Sequence, residues 1–140
     1  KKPKTLRQRK LSTLLALAMR DLRKQEQAKN SAVDMGAWLY YDEAGRCVTC
    51  AAGAVMRFRL NAIESGRTSP HSFDEGTKNR LLAIDDLRSG YVGDAGDLIG
   101  LEIPKRLQFV NMPDYESAPS PSPWWTAARK LLTRLKKAGL

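Results

Sequence analysis

A chain of 140 residues that is 42% apolar and 28% charged has the length and composition of one globular domain with a single core, which excludes a disordered polymer. Its longest apolar runs, Leu14 to Met19 and Ala51 to Met56, are far too short to cross a bilayer. The net charge of +9 is unevenly placed: residues 1–29 hold ten basic and two acidic side chains, residues 30–123 nine and thirteen, and residues 124–140 five and none. The ends are basic and the middle is mildly acidic.

Lys1, Lys2, Lys4, Arg7, Arg9 and Lys10 stand ahead of a short apolar stretch containing Ala16-Leu17-Ala18, an arrangement that imitates a secretory signal. Arg20 and Asp21 interrupt it at once, so the stretch reads as the first helix of the mature protein. Leu11, Leu14, Leu15, Ala18 and Leu22 share one stripe at helical spacing, and Arg9, Arg20, Arg23, Lys24 and Gln27 fall opposite. Thr5 stands where a cap would start this helix.

After Asn30 the pattern changes. Trp38, Leu39, Tyr40 and Tyr41 form a short aromatic run broken by Asp42-Glu43-Ala44-Gly45, which reads as an extended piece and a turn. From Cys50 to about Ala62 a second helix is expected, opening on Ala51, Ala52, Gly53 and Ala54. Gly53 weakens a helix, so its presence implies a close approach by other backbone. Residues 65–72 read as a loop, and Ser72 with Glu75 has capping-box spacing, with Asp74 adding charge at the helix start.

The third helix places Leu81, Ile84 and Leu87 on its apolar side and stops at Gly90. Asp94 to Ile99 reads as a short fourth helix, and Pro104 opens a further turn through Phe109. Ser117 to Pro123 is a Ser/Pro-rich linker. Ser122 and Pro123 also fit the cap and first position of a last helix, with Trp125, Ala128, Leu132 and Leu135 on one face and Gly139 at its end.

The expected architecture is therefore mainly α, a small domain of about four to six helices, either all-helical or with a short β-hairpin near residues 37–49. The divisions are a helical core over 1–116, the linker over 117–123, and an amphipathic basic helix over 124–140 that packs on the core or on a partner.

Chemistry-bearing residues are few. Cys47-x-x-Cys50 is the sharpest local pattern, but zinc needs about four ligands, and the chain adds only His71. Metal binding by Cys47 and Cys50 therefore requires carboxylates, water or a homodimer, and packed structural thiols are the leading expectation. His71 is the only imidazole and the only ready general base near neutrality, yet no motif ties a nucleophile to it. Gly90, Gly93, Gly96 and Gly100 match no phosphate-loop spacing. Asp85, Asp86, Asp94 and Asp97 match no calcium loop. No cofactor is expected.

Two features remain. Arg7, Arg9, Lys10, Arg20, Arg23 and Lys24 form a candidate nucleic-acid face, against the plainer reading of a solvated helix side. Trp124 and Trp125, adjacent on one helix, cannot both face its apolar stripe. With Arg129, Lys130 and Arg134 they make a candidate partner-binding surface.

The stretch Asp34-Met35-Gly36-Ala37-Trp38 followed by Cys47-x-x-Cys50-Ala51-Ala52-Gly53-Ala54 resembles a group of short phage and prophage proteins of unknown function. The run Leu82 to Gly90 (LAIDDLRSG) resembles a second block of that group. The resemblance spans about residues 11–100 and implies an accessory protein of a virus or mobile element; the expected compartment, the cytoplasm of a bacterial host, follows from two cysteines three positions apart that make no disulfide framework. The leading expectation is a non-enzymatic interaction protein that binds, and in some settings inhibits, a host protein or complex. The alternatives are a nucleic-acid-binding module using the basic terminal helices, and a small enzyme using Cys50 or His71.

Overall fold

The element order in the computed structural model is α1 (Leu11–Gln27), β1 (Ser31–Val33), β2 (Leu39–Tyr41), β3 (Cys47–Thr49), α2 (Ala51–Leu60), a 3-10 turn (Pro70–Ser72), α3 (Glu75–Ser89) and α4 (Ser122–Lys137). The structure describes Leu6, residues 9–89 and residues 122–140, with the side chains of residues 86–89, 122–124 and 127 outside that description. The expected stop at Gly90, the helix over Asp94 to Ile99, the turn after Pro104 and the linker from Ser117 to residue 121 fall outside it. Its last two residues do not belong to a linker, because α4 already runs from Ser122. The chain is mainly α with one three-stranded sheet.

The stripe on α1 is the centre of the core. Leu11, Leu14, Leu15, Ala18 and Leu22 are fully buried, whereas Arg20, Arg23, Lys24 and Gln27 are exposed. Packing of this kind, rather than propensity, is what holds a helix of this length in water. The helix starts at Leu11 from an extended Lys10 that contributes no side-chain cap. Thr5, the expected cap, lies outside the described residues.

The hairpin forms between β2 and β3, antiparallel with Leu39 opposite Thr49 and Tyr41 opposite Cys47. Asp42 closes its turn, its carboxylate accepting the Arg46 backbone N–H and Nε, both at 2.8 Å. Gly45 sits at φ +78°, where a side chain is strained. A third strand joins them that sequence reading does not anticipate. β1 runs parallel to β3 with Ser31 opposite Cys47, which makes β3 central in the order β1-β3-β2.

α2 opens on Cys50 as its cap residue and buries all of Ala51–Met56. It ends where Asn61 adopts the left-handed conformation and the Ala62 N–H reaches back to the Met56 carbonyl, so a left-handed residue closes the helix end. The start of α3 differs from expectation. Ser72 belongs to the 3-10 turn, and the cap is Asp74, whose carboxylate accepts the Thr77 N–H at 3.1 Å and the Thr77 hydroxyl at 2.8 Å. A carboxylate one residue before the first helical position outcompetes a hydroxyl three residues away.

α4 lies against α1. Trp125, Ala128, Leu131 and Leu135 are buried, and Gly139 at φ +75° lets the Leu140 N–H bond the Leu135 carbonyl. The Ser12 N–H donates to the Leu140 carbonyl at 3.1 Å, while the Arg23 guanidinium lies 5.0 Å from the Trp125 ring centre. The start of α1 therefore meets the end of α4 and the reverse, so the two helices are antiparallel.

Two polar side chains are built into the α1 stripe. The Gln25 amide donates to the Ala32 and Cys47 carbonyls at 2.6 and 2.8 Å, and its oxygen accepts from Arg57 at 2.6 Å. Arg57 also donates to the Ser31 hydroxyl. Asp21, fully buried, accepts from Arg59 Nε at 2.9 Å through one oxygen, and its other oxygen has no partner among the described residues. Burial pushes the Asp21 carboxyl above its ordinary value of 3.8, against the opposing hydrogen bond and charge of Arg59.

A carboxyl that prefers its neutral form contributes stability that is complete below 3.8 and is lost as pH rises through the raised folded value. Thermal melts of wild type and Asp21→Asn, run from below 3.8 to neutrality, are expected to show wild type losing stability relative to the variant across that window. A difference that grows in favour of wild type with pH would mean that Arg59 outweighs burial.

Candidate functional site

The expected thiol pair is split between two elements. Cys47 sits in β3 and Cys50 caps α2; both are buried and neither is in a disulfide. Burial pushes the Cys47 thiol up, with the Arg57 charge pulling weakly the other way. A thiol held neutral is a poor nucleophile and a poor metal ligand. Among the described residues no three His, Cys, Asp or Glu side chains come together as a metal cluster. His71 is exposed on the 3-10 turn, its ring 5.7 Å from that of Trp38.

Trp125 keeps the place on the apolar side of α4 that its spacing predicts. Trp125 is a core residue, 9% exposed with Arg23 over its ring, so it offers no exposed anchor to a partner. Trp124's side chain lies outside the described residues. Among the described residues the large exposed apolar side chains are Tyr40 and Tyr41 of β2, at 42% and 59%. Tyr40 hydrogen-bonds the Asp34 carboxylate at 3.4 Å, and its hydroxyl pKa is raised by partial desolvation and that neighbouring charge.

The structure brings the basic residues of the two chain ends together. Because α1 and α4 are antiparallel, the end of α1 meets the start of α4, where the Arg23 guanidinium covers Trp125, while Lys24 lies over Phe58 of α2. The exposed side chains of α4 include Arg129, Lys130, Arg134, Lys136 and Lys137. With Arg20, Arg23 and Lys24 of α1 these make eight exposed cations, and none is ion-paired with another described residue. On the same two helices the exposed carboxylates reduce to Glu26, since Asp21 is buried and α4 has none. Among the described residues of the middle, Asp42 is paired with Arg46 and Glu75 with Lys78. Lys10 is exposed beside the start of α1, and Arg9 is half-buried. Arg7 lies outside the described residues.

No family model, curated protein or solved structure matches the chain. Its reading therefore rests on its own residues. No helix among the described residues is long and apolar enough to cross a membrane.

The face has an aromatic component. Arg23 covers Trp125, and Phe58 of α2 has Lys24 at 6.0 Å and Arg57 at 5.0 Å from its ring centre. Cations held over rings in this way lose less freedom when they meet an anion. Two of the eight cations, Arg23 and Lys24, are held over rings in this way. The face measures about 18 Å from Trp125 to Lys137 at 1.5 Å per residue.

Proposed function

We propose that this chain is a non-enzymatic binding protein whose working surface is the basic band on α1 and α4, and that its partner is nucleic acid. The observation that carries this reading is the convergence of eight exposed cations, none ion-paired with another described residue, from opposite ends of the sequence onto two neighbouring helices. Holding like charges together opposes folding, and an anionic partner removes that repulsion. The resemblance to short phage and prophage proteins supports placing such a binder among the accessory products of a mobile element in a bacterial cytoplasm.

Fluorescence anisotropy with a labelled duplex between about 50 and 200 mM salt tests it. Each phosphate contact contributes about −0.9 to the slope of log affinity against log salt, so eight contacts set a limit of about −7. Replacing Arg129, Lys130 and Arg134 by Glu is expected to flatten the slope by about 3 units while leaving the melting temperature close to wild type. Absence of binding at the lowest salt would sink the reading.

A second reading is favoured by Tyr40 and Tyr41. They lie on an edge strand whose outer side pairs with no described residue, and aromatic side chains concentrate binding energy at protein interfaces. In this reading a host protein is the partner. A Tyr40→Ser, Tyr41→Ser double variant would lose a protein captured by wild type while keeping its affinity for DNA.

A further inference from the structure

The α1 side of the basic band stands over a carboxyl group that the reading above leaves without a role. Asp21 of α1 is fully buried, and one of its oxygens accepts from Arg59 Nε of α2 at 2.9 Å. Arg20, the residue before it, and Lys24, one helical turn on, are exposed. Lys24 lies over the ring of Phe58, the residue next to Arg59. Three cations from two helices therefore gather around one carboxyl group that solvent does not reach.

The ionisation of that group is a balance. Burial opposes it, while Arg59 and then Lys24 and Arg20 favour it. β1, which also packs on α1, has no ionisable side chain. Among the described residues the charges of α3, namely Glu75, Lys78, Arg80 and Asp85, and the α4 cations weigh less than those three. Two of the three supporting charges, Arg20 and Lys24, belong to the surface proposed to meet phosphates. A phosphate bound there screens their field and brings its own negative charge toward Asp21. Both effects favour the neutral carboxyl over the carboxylate.

We propose that nucleic-acid binding by the band is coupled to uptake of a proton by Asp21, so that the complex tightens as pH falls. This rests on the nucleic-acid reading above. The proton comes from solvent, and by linkage the neutral carboxyl and the bound phosphates favour each other to the same degree. Asp21 is too deeply buried to touch a phosphate itself and acts through Arg20 and Lys24.

Affinity of the full chain for a labelled 20-base-pair DNA duplex is measured from about pH 5 to pH 8 at one low salt concentration, for wild type and Asp21→Asn. The wild-type gain at low pH is expected to exceed the variant's by about threefold, the scale of one screened charge contact. Groups common to both proteins, His71 and Glu26 among them, drop out of that difference. An Arg59 released in the variant changes its absolute affinity and not its pH dependence. Equal pH dependence in the two proteins would overturn the inference and leave the nucleic-acid reading in place. Absence of wild-type binding at every pH would remove both. Where Asp21→Asn does not fold, the carboxyl carbon resonance of Asp21 in wild type is followed as unlabelled duplex is added, at a fixed pH within its own titration range. Movement toward the protonated position is expected, and a resonance that stays in place or moves the other way would overturn the inference.

Discussion

Gly53→Ala is expected to cost more than about 4 kcal/mol, the range reserved for a few severe mechanisms, and to lower the melting temperature by more than about 10 °C for a domain of this size. A Cβ built on Gly53 would sit 1.4 Å from the Trp38 carbonyl oxygen and 2.6 Å from its carbon. Those are backbone atoms, so no side-chain rotation relieves the overlap. Either α2 moves off the sheet or the segment carrying Trp38 moves away, and the second would disturb the bond from the Cys50 N–H to the Ala37 carbonyl at 2.7 Å. Gly45→Ala is the matching control. It meets nothing within 4 Å and is unfavourable only through its φ of +78°, which costs about 1 kcal/mol. Denaturant melts that rank the two variants equally would show that α2 and the Trp38 segment do not pack as closely as the geometry requires.

Gln25→Leu is the second large effect, with an expected loss of about 3–5 kcal/mol, because it strands two carbonyl acceptors and removes a partner from Arg57. The side chain is fully buried and bridges three elements: it donates to β1 at Ala32 and β3 at Cys47, and accepts from α2 at Arg57. Gln27→Leu, two residues on and exposed, is expected to change stability by less than about 0.5 kcal/mol. Amide exchange should localise the Gln25 effect to residues 31–33 and 47–49, since the parallel pair loses its tie to α1. Equal melting temperatures for the two leucine variants would contradict the bridge.

Much of this fold was legible before any coordinates, and the exceptions have physical reasons. The α1 stripe, the turn at Asp42 to Gly45 and the packing role of Gly53 follow from spacing and residue chemistry that act locally. Asp21 and Gln25 were also readable in principle. They fall at the same helical interval as Leu14, Ala18 and Leu22, and a polar residue inside an apolar stripe announces a buried bond. What it bonds to was not readable, because β1 is three residues long and its parallel partner lies sixteen positions away. Three residues carry no periodicity. Trp125 illustrates the converse. Helical spacing placed Trp125 on the apolar stripe with Ala128 and Leu135, where it is buried, yet its adjacency to Trp124 also led sequence reading to count it as a partner contact. The basic band could be listed from composition and not assembled from it: only the antiparallel docking of α4 on α1 makes one surface from two ends.

That docking also sets an order of events during synthesis. The end of α1 and the start of α4 are separated by residues 28–121, so at about 5–20 residues per second the first helix leaves the ribosome roughly 5–20 s before its partner exists. During that interval α1 has the sheet and α2 to lean on through Gln25 and Asp21, but the side that α4 will cover lacks that helix. The final helix works as a late closing piece. A nascent chain stalled before residue 122 would carry an uncovered apolar seam, the kind of surface that chaperones bind.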